Sequence, residues 1–106
     1  MPIDPESITK AAPERSVLHE AFGLVNGDRA EAYGDPYDDY KRVTDLFRLM
    51  TGHELTPTDG VLFMECVKLG RIAHNHQRGE YHRDSVVDSC GYWHVYTETA
   101  KGPPCG

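Results

Sequence analysis

The 106-residue sequence has no apolar run approaching the roughly 18 residues that a membrane-spanning helix requires. Its N-terminus lacks the basic-then-apolar order of a secretory signal, so the chain is expected in the cytoplasm. Positive charge is also scarce: 11 Lys and Arg stand against 17 Asp and Glu, a net charge of -6 with histidine neutral. Duplex nucleic acid is therefore a poor partner, because Lys and Arg must replace its condensed counterions. Small ligands, metal ions or protein surfaces fit better. The three cysteines, Cys66, Cys90 and Cys105, form no C-x-x-C pair and demand no oxidising compartment. Cys66 and Cys90 lie in apolar stretches and read as small core residues. No glycine-rich phosphate cradle, hydrolase nucleophile motif or EF-hand loop occurs.

Strand alternation and internal repeats are missing as well; what is present is helical spacing. Residues 1–12, "MPIDPESITKAA", read as a loose arm, 13–100 as one helical domain and 101–106 as a flexible tail. The first helix is predicted over 13–25, with Val17, Leu18, Ala21, Leu24 and Val25 on one face and Asn26-Gly27 at its end. Asp35 reads as the N-cap of a second helix over 36–51, with Pro36 at its first position. Tyr40, Val43, Phe47 and Met50 mark the buried face of that helix. Thr56, Pro57 and Asp59 open a third helix over 57–74, and a fourth spans 84–99 with Asp84 as its candidate N-cap. The short connections favour antiparallel neighbours, hence an all-α, four-helix antiparallel bundle. The third helix, the most apolar, is expected to be central and the most buried. So apolar a helix is poorly covered by three others, which predicts an oligomer, most simply a two-fold dimer, with Phe63, Met64 and Trp93 at the interface.

That third helix raises the chemical question. "GVLFMECVKLGRIAHN" (60–75) is nearly all apolar, yet carries Glu65, Lys68 and Arg71 at three-residue spacing. At 100° per residue the three span an arc of about 120°. Facing water, they are a solvated stripe with a weak Glu65–Lys68 pair. Facing inward, they need partners, since an unpaired buried ion costs several kcal/mol. The fourth helix offers Asp84 and Asp88, four apart on one face, with Tyr92 a turn further. Glu65 opposite both would bring three carboxylates together, the way Mg²⁺ is held. Lys68 and Arg71 beside them suit phosphate oxygens. The loop "RAEAYGDP" supplies Arg29 for a phosphate, Tyr33 for stacking and a turn at Gly34 and Asp35; alternatively it is an ordinary connector. His74, His76 and His82 read as one solvated loop, because a fourth zinc ligand is missing.

The segments "NGDRAEAYGDPYDDYKRV", "LTPTDGVLFMECVKLGRIA" and "RDSVVDSCGYW" together resemble a family of small tailed-phage proteins, over about residues 26–93. More distantly, the layout resembles phage nucleotide-modification-associated domains and the all-α, MazG-like nucleotide pyrophosphohydrolases. Those enzymes bind Mg²⁺ through a helical E-x-x-E followed by E-x-x-D and cleave a nucleoside triphosphate between its α- and β-phosphates. The resemblance implies a nucleotide-handling protein of the host cytoplasm, acting as a Mg²⁺-dependent pyrophosphohydrolase. Glu65 and Asp88 would be its catalytic metal ligands and Asp84 a third ligand. Arg29, Tyr33, Asp35, Lys68, Arg71 and Tyr92 would contact substrate. Two departures stand out: Lys68 occupies the position of the second acid of E-x-x-E, and Asp84 and Asp88 are spaced one residue wider than E-x-x-D. They favour an alternative, a binding protein that sequesters a nucleotide or occupies a host protein without turnover.

Overall fold

A computed structural model describes residues 16–27 and 32–104. The N-terminal arm, Arg29 and Cys105 lie outside the described residues. Among the described residues four helices are laid out: α1 (Val17–Asn26), α2 (Pro36–Thr51), α3 (Pro57–Gln77) and α4 (Arg83–Ala100). The chain is all-α with the four packed together.

Helix boundaries follow local chemistry. The Asp35 carboxylate accepts the N–H groups of Tyr37 and Asp38, and Pro36 loses nothing at a position where its missing N–H would be unpaired anyway. Gly52, in the left-handed region at φ 80°, ends α2. Thr56 and Asp59 exchange side-chain and backbone bonds in a reciprocal cap at the start of α3. That helix runs past its expected end to Gln77, so His74 and His76 are helical rather than in a loop. At α4 the cap is His82, whose Nδ1 accepts from the Ser85 N–H. Asp84 is not the cap; it sits exposed in the first turn.

The central helix is α4, which packs on all three others. The expectation for α3 is corrected: α3 buries Gly60, Val61 and Glu65, while Leu62, Phe63 and Leu69 stay exposed. Centrality follows small side chains here rather than apolar ones. Ser85, Ser89 and Gly91 let neighbouring backbones approach α4, and a Cβ on Gly91 would stand 3.4 Å from Val25 Cγ1. The contacts Glu20–Arg83 and Val25–Gly91 climb α1 and α4 in the same direction, so this pair runs parallel. The antiparallel expectation holds for α3 and α4, joined by Glu65–Ser89 and Lys68–Asp88. Val95 of α4 lines two cavities, each shared with Val25 near the end of α1 and Pro36 at the start of α2. Helix α2 thus takes up along α4 where α1 ends.

Among the described residues the buried set is small: Ala21, Tyr40, Val61, Val87 and Val95, with as many polar residues, Thr44, Glu65, Ser85, Ser89 and Thr99. On α2, Tyr40 and Thr44 are buried, but Val43, Phe47 and Met50 face outward, against expectation. The protein covers only the arc of α2 that meets Gly60. Cys66 is exposed and Cys90 half-buried, so Cys66 is not a core residue. Of the expected interface residues, Phe63 and Trp93 are exposed, and Met64 packs on the core.

Gly60 marks a close crossing of α2 and α3. A Cβ there would lie 3.0 Å from Thr44 Cγ2 and 3.2 Å from Tyr40 Cδ1. Crowding of this kind offsets the gain in helix propensity, so Gly60→Ala is expected to destabilise by about 1–3 kcal/mol. Chemical denaturation of the variant checks this; an unchanged or raised midpoint would show that the crossing is loose.

Candidate ligand site between α1, α3 and α4

Each three-residue step along a helix turns the side chain by about 60°. The charges on α3 therefore rotate from the core to the solvent, which resolves the choice between an inward and an outward stripe. Glu65 is buried, at 2% exposure; Lys68 is 13% exposed in its side chain; Arg71 is exposed.

Glu65 takes a hydrogen bond from the Ser89 hydroxyl through Oε1. Its Oε2 is buried with no hydrogen-bond partner among the described residues. Lys68 Nζ lies 2.8 Å from Asp88 Oδ2, with the Asp88 side chain 36% exposed. The pair sits at the wall of a cavity of about 250 Å³, lined otherwise by Leu24 and Val25 of α1 and by Val87, Gly91, Tyr92 and Val95 of α4. One side of this cleft is apolar and aromatic, and the other carries a cation held by a carboxylate. Such a mixture of apolar wall and a few fixed polar groups is what small-ligand sites show, although the volume falls just below their usual range.

Of the sequence-predicted residues, Lys68, Asp88 and Tyr92 meet at this cleft. Tyr33 and Asp35 do not: Tyr33 lines a cavity of about 40 Å³ with Pro36 and Tyr40, and Asp35 is occupied in capping α2. Arg71 points into solvent, and Asp84 is exposed. The convergence of Glu65, Asp84 and Asp88 is not found. No group of three or more His, Cys, Asp or Glu side chains among the described residues is arranged to hold a metal ion. Among the described residues Glu65, Asp84 and Asp88 thus do not form a three-carboxylate site, because Glu65 turns to Ser89 and Asp88 to Lys68.

Ser89 is the residue that the sequence reading missed. In "DSVVDS" the serines are spaced four apart, as the aspartates are, one position on. Ser85 and Ser89 face inward, and the aspartates lie toward or in the solvent. The signal was available: serine burial costs less than carboxylate burial, so the serine register should take the core.

Residues 16–100 match the model of a protein family described as a domain of unknown function, DUF6378. The chain belongs to this family. It is 37% identical over 78 residues to the gene 55 protein of Mycobacterium phage L5, an alignment covering 73% of this chain and 47% of the phage protein. With the gene 55 protein of Mycobacterium phage D29 the identity is 32% over 93 residues, covering 84% of this chain and 59% of the relative. The chain thus spans about half the length of the relatives it matches. The resemblance to small tailed-phage proteins agrees with these relatives. No solved structure matches. No helix among the described residues is long and apolar enough to cross a membrane.

Proposed function

We propose that this DUF6378 protein binds a nucleotide, or another phosphorylated small molecule, in the cleft between α1, α3 and α4. The observation that carries the reading is Lys68: a nearly buried ammonium, at the cavity wall, whose partner Asp88 stays partly in water. A cation so placed can exchange a carboxylate for phosphate oxygens at little desolvation cost. Tyr92 and the valines of α1 and α4 offer a surface for a base. This is the binding alternative of the sequence reading, and it needs no metal cluster.

A MazG-like pyrophosphohydrolase is the second reading, favoured by one observation. Glu65 Oε2 is a buried oxygen without a partner, the kind of atom that takes up an ion or a water. Opposing it, Lys68 stands where the enzymes resembled here place an acid.

The Asp88→Asn variant separates the two. If Asp88 only neutralises Lys68, the variant frees the ammonium, and Mg²⁺-free nucleotide binding should tighten severalfold by calorimetry. If Asp88 is a catalytic ligand, the parent should release pyrophosphate with Mg²⁺ and the variant should not. Neither binding nor turnover by the parent, across ribo- and deoxynucleotides, would sink both readings and leave occupation of a host protein as the function to test.

A further inference from the structure

On α2, Val43, Leu46, Phe47 and Met50 recur at i, i+3, i+4 and i+7 and so form one stripe. Their exposures are 47%, 58%, 39% and 84%. Phe63 of α3, 64% exposed, follows one turn after the Gly60 that packs on α2. Single exposed apolar residues are ordinary, but a continuous stripe at helical spacing marks an interaction surface. We propose that this face of α2, extended by Phe63, is the contact surface for a second copy of the chain in a two-fold dimer. The proposal stands independently of the nucleotide reading.

Three observations point to a like copy as the occupant. First, the protomer is under-built. Among the described residues five apolar ones are buried, and the radius of gyration is 16.1 Å. A compact chain of this length would have about 13 Å. A second copy is present at matching concentration wherever the chain folds, and so is suited to cover this face. Second, the area fits. With Leu49 alongside, at 77% exposure, these side chains approach the roughly 800 Å² that each partner brings to a standard interface. Third, two identical chains of net charge -6 can meet here. The stripe is uncharged, and the ions beside it pair within α2, Lys41 with Asp45 and Arg42 with Asp39.

Sedimentation equilibrium tests the assembly, and a photoreactive residue tests the surface. The parent should show twice its 11.9 kDa mass. Its melting temperature should rise with concentration from about 1 to about 100 µM, as for any chain whose fold is linked to assembly. A monomer throughout, with concentration-independent melting, overturns the proposal. A photoreactive side chain replacing Met50 should trap a covalent dimer, and one replacing Leu18 of α1 should not. A dimer trapped from position 18 and not from 50, or from neither, places the contact elsewhere and overturns it. Leu46→Glu should dissociate the dimer and Leu18→Glu should leave it intact. The measurements on the parent and the cross-linking decide the question even if Leu46→Glu does not fold.

Discussion

Replacing Lys68 with methionine is expected to weaken nucleotide binding roughly ten- to hundredfold, the worth of a charged hydrogen bond of about 1.5–3 kcal/mol. The stability cost should be near 1 kcal/mol. A fully desolvated pair would lose about 3–5 kcal/mol when one partner is removed. Asp88, however, keeps 36% of its side chain in water and can be hydrated once the ammonium is gone. Calorimetric titration and thermal melting of the same variant report both quantities. Undiminished binding would remove Lys68 from the site. A stability loss of several kcal/mol would show instead that the pair is a structural tie closed to ligands.

The largest effect on the fold is expected from Ser89→Ala. Oε1 of Glu65 would then join Oε2 in having no partner, in a site 2% exposed. Loss of a hydrogen bond to a charged group, with its acceptor left buried, costs about 1.5–3 kcal/mol. For a domain of this size that lowers the melting temperature by on the order of 10 °C. The double variant Glu65→Leu, Ser89→Ala should recover most of the loss, since apolar groups of similar shape remove the unmet polar demand. A Ser89→Ala protein that melts like the parent would show that water already reaches Glu65. A double variant no better than the single would show that Glu65 has a further partner, such as an ion or another chain.

Much of the fold could be read from the sequence, because helix ends are local chemistry. Asp35-Pro36 and Thr56-Pro57-x-Asp59 act on backbone groups a few residues away and are met in the structure as they are read. Facing is a different matter. The stripe Val43, Phe47, Met50 was legible as apolar, but periodicity states only that a face avoids water, not that its own chain covers it. The same limit explains α3, whose apolar arc is wider than its two neighbours, α2 and α4, cover. At the site, the spacing of Glu65, Lys68 and Arg71 fixed their angular spread. It left open where the core lay along that arc, and a shift of one position on α4 decided whether aspartates or serines met Glu65. Lys68 with Asp88 was within reach of the charge pattern alone, whereas Glu65 with Ser89 required weighing the burial cost of serine against that of aspartate, because nothing in the charge pattern points to a serine.

Among the described helices α1 packs on α4 alone, with Leu18 and Phe22 largely in solvent, yet its Leu24 and Val25 form one wall of the cleft. The four helices are therefore unequal in tenure. Losing α4 dissolves the protein, whereas α1 can lift away by giving up a single helix contact and the Glu20–Arg83 pair. Local openings of this sort lie at the low end of a protein's free-energy scale. A guest lodged between Leu24 and Lys68 would fasten the element most ready to leave. Its residence time would then be governed by how often α1 lifts, rather than by the width of the cleft mouth.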